Sequence, residues 1–481
     1  MAESSEATPE ETTSPLPQIS SAKSLTKRRG FISPTSSFVD FAELKTEYYS
    51  DEGNQLASSY NPYSERQIKK PITDFETCTH LLKGSIGAGI LAMPKGFYHA
   101  GIITGFIGTI LLTASVLYSI DTLIRMQYIQ CKRLQVPFLT LQRSMKIGLL
   151  NGPRCLRKLA WIAPIVVDFF LVAYQLGTCT AYVIFIAQSM KHIAEPRIVE
   201  NLDLRIYLMI IFVPVVLINY IQNLKRLTPI SFTANILTII AFSSCFYYIF
   251  CVGPFKYEET NLVSSVTTWP LFIGVVLFAI NSFGVIIALE HHMETPAHFL
   301  GCKGILPWSL LMVMCIYIMV GLFGYIKYGK SVDETILASL PRNEWLSLTI
   351  EGVYAISIFG SYPLQCFVSL EIIWGNYLVK FINDPKKECC IEYLMRTVVV
   401  IFTFMGATLI PHVDIAISLV GVFCVSTLGM VFPFLLEMCT LWPDQLGCCY
   451  YVVIKDICFI ILGFSILILG TYISLYTVFA S

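Results

Sequence analysis

Residues 79–94 read THLLKGSIGAGILAMP. Three glycines, Gly84, Gly87 and Gly89, stand in a segment otherwise apolar enough to enter a membrane, and His80 and Lys83 lie just before them. Glycine inside a helix costs about 1 kcal/mol relative to alanine, so this run predicts a helix built to be interrupted. Irregular backbone at membrane depth persists only where it is buried in protein or lines a cavity. The stretch is therefore the leading candidate for a binding site, and it points to a transporter.

Composition agrees with a membrane setting. The chain is 55% hydrophobic and 14% charged, against about 25% charged in a soluble domain. Lys+Arg and Asp+Glu both total 33, so bulk charge gives no reason to expect a nucleic-acid partner. Residues 1–30 are polar and lack the apolar run of a signal peptide. The 16 cysteines fall within apolar spans or in loops expected to face the cytosol. Reduced thiols are expected there, with no metal site, because no pair of cysteine pairs has zinc-site spacing.

Residues 1–73, rich in Ser, Thr, Pro and charge, read as a disordered cytosolic tail that could dock signalling partners, and Lys27, Arg28 and Arg29 as a solvated charge cluster. The rest divides into eleven apolar runs near the ~20 residues that span a bilayer: about 77–98, 102–124, 161–190, 204–221, 230–252, 269–290, 305–325, 348–379, 394–411, 413–436 and 451–479. With the N-terminus inside, the cytosolic loops collect fifteen Lys and Arg against eight outside, the expected positive-inside bias.

A second interruption is expected at 278–284, FAINSFG, in the sixth run. Transporters built from inverted repeats place a discontinuous helix at the matching position of each half. The expected fold is thus an all-α integral membrane protein of eleven transmembrane helices. Residues 74–252 would form one repeat, 253–437 the other, and 438–481 would hold an eleventh helix. Freed N–H groups of Ser85, Ile86, Gly87, Ala88 and Gly89 could hold a carboxylate, with Gly84 in the same substrate-binding stretch. Freed carbonyls, with Phe278, Asn281, Ser282 and Phe283 around the second break, could hold an ammonium. A zwitterionic amino acid needs both poles. His80 is the candidate for proton coupling, since imidazole changes charge near neutral pH. Asp168 reads as a structural ion pair or a snorkelling carboxylate, and Glu290, Glu371 and Glu437 as gating or structural contacts. No metal motif, nucleophile elbow or phosphate loop suggests an enzyme.

At these residues the chain resembles the proton-coupled amino acid transporters of the amino acid/auxin permease superfamily, in an insect-like branch. The resemblance runs from Phe75 to Phe479. It rests on 80–89 (HLLKGSIGAG), 167–171 (VDFFL), 175–177 (QLG), 221–227 (IQNLKRL), 289–296 (LEHHMETP) and 417–421 (ISLVG). It implies a LeuT-like 5+5 inverted repeat plus one extra helix, a cytosolic N-terminus, and proton-driven symport of small neutral amino acids without a cofactor. The family's proton-sensing histidine falls on His80. The membrane would be the plasma or lysosomal membrane. Two departures stand out. The family usually has a glutamate and a glycine where Asn281 and Ser282 stand, and its vertebrate members tend to have an outside disulfide for which no outside-loop cysteine exists here. Sodium coupling, or an amino-acid sensor with little flux, remain alternatives.

Overall fold

The structure, a computed structural model, describes residues 60–66, 68, 71–85, 87–195, 202–222, 224–280, 283–301, 303–341, 344–381, 385–443, 445–446 and 450–480. Ile86, Asn281, Ser282 and residues 1–59, including the basic cluster at Lys27–Arg29, lie outside the described residues. Within them the chain is helical, with one isolated backbone bridge between Ile72 and Met293.

The helices are α1 (Asp74–Ser85), α2 (Met93–Ala100), α3 (Ile102–Leu134), α4 (Leu141–Asn151), α5 (Ala163–Ala194), α6 (Leu204–Asn219), α7 (Leu224–Cys251), α8 (Trp269–Ile280), α9 (Phe283–His292), α10 (Ile305–Ser331), α11 (Trp345–Leu378), α12 (Pro385–Leu409), α13 (Val413–Thr440) and α14 (Tyr451–Ala480). Eight of them, α3, α5, α7 and α10 to α14, are long and apolar enough to cross a membrane. Length and composition thus select eight helices where the sequence suggested eleven spans. The physical reason is local. The first expected span is divided between α1 and α2, the sixth between α8 and α9, and the fourth is the 16-residue α6.

Large apolar side chains point out of the bundle along several helices, among them Leu111, Met209, Leu217, Ile239, Ile356, Phe402, Ile461 and Ile468. Water would penalise such a belt, whereas lipid tails cover it at no cost. Burial also separates centre from edge. The apolar window of α13 is 89% buried, that of α14 only 11%. α8 is central as well, with Leu271, Phe272 and every residue from Gly274 to Ile280 buried.

Small residues permit the closest crossings. A Cβ on Gly421 of α13 would lie 1.9 Å from the carbonyl oxygen of Gly274 on α8. Gly421 also opens a π-helical turn, Gly421–Val425, and a second follows at Thr427–Val431. Such turns occur often at functional sites. At the end of α2, Gly101 has φ +87 and makes the corner into α3 against Val263 and Ser264. A side chain is strained at that φ.

Candidate functional site

α1 stops at Ser85, and helical backbone resumes with Ala88–Leu91, which passes through Ala92 (φ −83, ψ −8) into α2. Gly87 between them is extended, φ −138 and ψ −155, a conformation open to any residue. The steric need for glycine falls on Gly89 instead. A Cβ there would meet Ala279 Cα at 2.6 Å and the Phe278 ring at 3.2 Å. The half of the first split helix that follows the break is therefore seated directly on the last turn of α8.

Helix ends leave carbonyls without intrahelical donors. Two of these meet at one side chain. The hydroxyl of Tyr317, fully buried on α10, donates to the carbonyl oxygens of Ser85 and of Ala279, the latter at 2.7 Å. Two tyrosines of α5 complete the surroundings. Tyr182 places its hydroxyl 4.0 Å from where a Gly87 Cβ would sit, and the Tyr174 ring lies 6.1 Å from that of Phe278. Tyr174, Tyr182 and Tyr317 have no local sequence signal, because each is one aromatic residue in an apolar helix.

The structure brings Ser85, Gly87, Ala88, Gly89 and Phe278 together. Ser85 contributes differently from expectation. It lies in the last turn of α1, where its N–H points back into the helix and its carbonyl faces the Tyr317 hydroxyl, so it presents an acceptor rather than a donor. Gly84 is on the exposed side of α1. Phe283 begins α9, while Ile86, Asn281 and Ser282 lie outside the described residues. His80 is exposed, on the same side of α1 as Glu76, Thr79 and Lys83, while Thr77, Leu81 and Ser85 form the buried side.

Asp168 departs from its expected role. Its carboxylate accepts from three neutral groups, Gln142 Nε2 at 2.9 Å, Asn376 Nδ2 at 3.1 Å and Tyr377 OH at 3.0 Å. No cation is needed to satisfy it. It ties α4 and the π-helical turn Ile373–Leu378 of α11 to α5.

At the start of α1, part of the expected tail is docked. Arg66 forks onto Glu290 at the end of α9 (Nη1–Oε1 3.0 Å, Nη2–Oε2 3.5 Å) and reaches the carbonyls of Glu290 at 3.0 Å and Pro137 at 3.1 Å. Ile72 pairs with the backbone of His292 and Glu294, both at 3.0 Å, and Asp74 accepts from Thr295 at 2.7 Å and lies 2.9 Å from His298 Nδ1. Both ion-pair side chains are under 10% exposed. Removing one partner of a buried pair costs about 3–5 kcal/mol. Arg66→Ala should therefore release the clasp and raise site-resolved thiol labelling of the half-buried Cys78 on α1 at least tenfold. Charge reversal of both partners should restore protection, and unchanged labelling in Arg66→Ala would mean that the pair does not hold the clasp.

The opposite end of the split helix carries a second polar cluster. Glu334, after α10, contacts His412 Nδ1 at 2.5 Å and also accepts from Gln188 Nε2 and the N–H of Val413, both at 2.8 Å. This acceptor raises the pKa of His412 above that of an ordinary imidazole. His99, in the last turn of α2, faces Asp414 of α13, Nε2 to Oδ2 3.6 Å.

The family described as "Transmembrane amino acid transporter protein" matches residues 70–476, nearly all of the chain beyond the tail. The chain belongs to this family. The transporter is 31% identical over 423 residues to the proton-coupled amino acid transporter-like protein pathetic of Drosophila melanogaster, covering 88% of this chain and 89% of that relative. It is 26% identical over 384 residues to vacuolar amino acid transporter 3 of Saccharomyces cerevisiae, covering 74% of this chain and 50% of the yeast protein. Among solved structures, it is similar to MHP1, a nucleobase-cation-symport-1 family transporter in a closed conformation with bromovinylhydantoin bound. The TM-score is 0.45 at 9% identity, over 88% of this chain and 93% of that one. The transporter is a multi-pass membrane protein and not an enzyme.

Proposed function

We propose that this transporter moves small neutral amino acids together with protons, by alternating access through a LeuT-like 5+5 arrangement of residues 74–252 and 253–437, with 438–481 supplying the extra helix. Its N-terminus is cytosolic in this reading, and its membrane is the plasma or lysosomal membrane. The observation that carries the proposal is the convergence of the Ser85 and Ala279 carbonyls on Tyr317, beside the restart of the helix at Ala88. A hydroxyl has one proton to give, so two carbonyls facing it keep acceptor capacity for a substrate ammonium. The first N–H groups of residues 88 and 89 supply the opposite pole for a carboxylate, with the Tyr182 hydroxyl close by. Asn281 and Ser282, following α8, would add neutral polar groups to the ammonium side.

Proton coupling draws support from the name of the Drosophila relative and from the exposed side of α1. Glu76, Thr79, His80 and Lys83 together make a surface too polar for lipid, which suits a water-filled path reaching His80. Reconstituted in sodium-free liposomes, the protein should take up glycine, alanine or proline faster when the outside is acidic. His80→Ala should lose that stimulation, by at least fivefold, while still inserting in the membrane. Full acid stimulation in His80→Ala would remove the residue from the coupling path. Uptake that requires sodium, or substrate binding without flux, would replace symport with the sodium-coupled or the sensor reading.

A further inference from the structure

We propose that Glu437 and Asp456 together bind one proton beside Lys455, and that this proton fastens α14 to the end of α13. Lys455 and Asp456 stand in the second turn of α14, and Glu437 in the last turn of α13. Their side chains are 12%, 0% and 11% exposed in that order. The Lys455 ammonium donates to Glu437 Oε2 at 2.6 Å and to the Tyr118 hydroxyl of α3 at 2.8 Å. Asp456 is left over. Its Oδ1 stands 3.2 Å from Lys455 Nζ, yet neither of its oxygens receives a hydrogen bond. Glu437 lies within hydrogen-bonding reach of it. Two ionised carboxylates are both acceptors, so nothing joins them until one carries a proton and becomes a donor.

The charge count agrees. One ammonium faces two carboxylates in a buried place, which leaves one negative charge in excess. A buried charge without a partner is costly, and two carboxyl groups that share a site do not both ionise readily. One bound proton makes the cluster neutral. The surroundings accept no larger ligand on the same side, because the ammonium already fills the place of a cation. Lys455 Nζ lies 5.1 Å from the centre of the Tyr118 ring and 5.6 Å from that of Phe434. Phe434 in turn stacks on Phe459 at 4.2 Å. Among the described residues, the titratable groups facing the carboxyl pair are Lys455 of α14, Tyr118 of α3 and Cys439 of α13.

The proton matters because α14 has little else to hold it. Its apolar window is only 11% buried. Two glycines seat it on α13. A Cβ on Gly463 would meet Val431 at 2.9 Å, and one on Gly470 would meet Val422 at 2.7 Å. Val422 and Val431 belong to the two π-helical turns of α13, and the first of these opens at Gly421, where α13 crosses α8. An ionised Asp456 would repel Glu437 across the α13–α14 junction and loosen α14 from those turns. In the topology proposed above this junction is at the cytosolic end, so the proton is drawn from that side. The site is distinct from His80, and neither readout below depends on proton-coupled symport.

The test compares wild type with Asp456→Asn and Glu437→Gln, full-length and purified in detergent micelles. Denaturant titrations run between about pH 5 and 7, where unfolded carboxyl groups are ionised. A folded state that holds one extra proton loses about tenfold in its folding equilibrium constant for each unit rise in pH. The wild type should show this tenfold component, and Asp456→Asn, the neutral isostere of the protonated acid, should lack it while staying folded. Lys455→Gln leaves two carboxyls without a cation, so its dependence should steepen to about a hundredfold per unit. Infrared spectra at neutral pH should show a protonated carboxylic-acid carbonyl in the wild type that weakens in Asp456→Asn and in Glu437→Gln. Matching pH dependence in wild type and Asp456→Asn would overturn the proposal. So would a carboxylic-acid band of equal size in wild type and both neutral variants, since the pair would then be ionised.

Discussion

Tyr317→Phe is expected to lower amino acid uptake at least tenfold at matched protein levels, with the helical fold retained. The substitution removes one oxygen and no packing volume. It leaves the Ser85 and Ala279 carbonyls without the donor that now lies between them. A buried acceptor that loses its donor costs about 1–3 kcal/mol, and one hydroxyl proton serves both carbonyls here. The cost falls on the ends of α1 and α8, so these ends should shift or recruit water, and the spacing that a zwitterion requires is lost. Because each 1.4 kcal/mol is about a factor of ten, even the low end of this range gives a measurable defect. Initial rates in liposomes, with the thermal midpoint as a check on folding, decide the matter. Rates within twofold of wild type would show that the hydroxyl does not organise the site.

Gly421→Ala should be the most damaging single methyl group in the bundle. Its Cβ would lie 1.9 Å from the Gly274 oxygen, 2.7 Å from the Gly274 carbonyl carbon and 3.0 Å from its Cα. All three obstacles are backbone, so no side chain can turn aside. Gly274 is bound in the same way, since a Cβ there would lie 2.3 Å from the Ser418 oxygen. Overpacking a well-filled core typically costs about 1–3 kcal/mol and occasionally more. This crossing sits between the buried α8 and α13 with no slack on either side, so the upper end applies. The variant should lose most of its folded yield and unfold at a clearly lower temperature. Gly375→Ala, where a Cβ meets nothing within 4 Å, serves as the control and should behave as wild type. Equal midpoints for the two variants would show that α8 and α13 do not cross as described.

Much of the architecture was legible because it rests on local chemistry. Apolar runs of span length in a chain with 14% charge leave membrane helices as the economical solution, since a helix satisfies its own backbone groups in lipid. The glycine run at 84–89 likewise announced a break, and the helix does end at Ser85 and resume at Ala88. The count of eight long helices among the described residues, instead of eleven spans, follows in part from the same local effect, because the first and sixth spans are split into shorter helices, while the fourth is the unsplit 16-residue α6. The three glycines nonetheless differ in role. Gly89 touches α8, Gly87 lies under Tyr182, and Gly84 is exposed.

The sequence by itself determined that this is an all-helical membrane protein of the amino acid transporter family with a discontinuous first helix, because periodicity, composition and motif spacing act over a few turns of chain. Only the tertiary structure decided what surrounds that discontinuity. Tyr317 meets Ser85 across 232 positions, Arg66 meets Glu290 across 224, and His412 meets Glu334 across 78. No local pattern specifies such pairs. They arise because packing apolar faces fixes which helix ends coincide, and the polar groups left at those ends must then find partners among whatever side chains the packing has brought within reach.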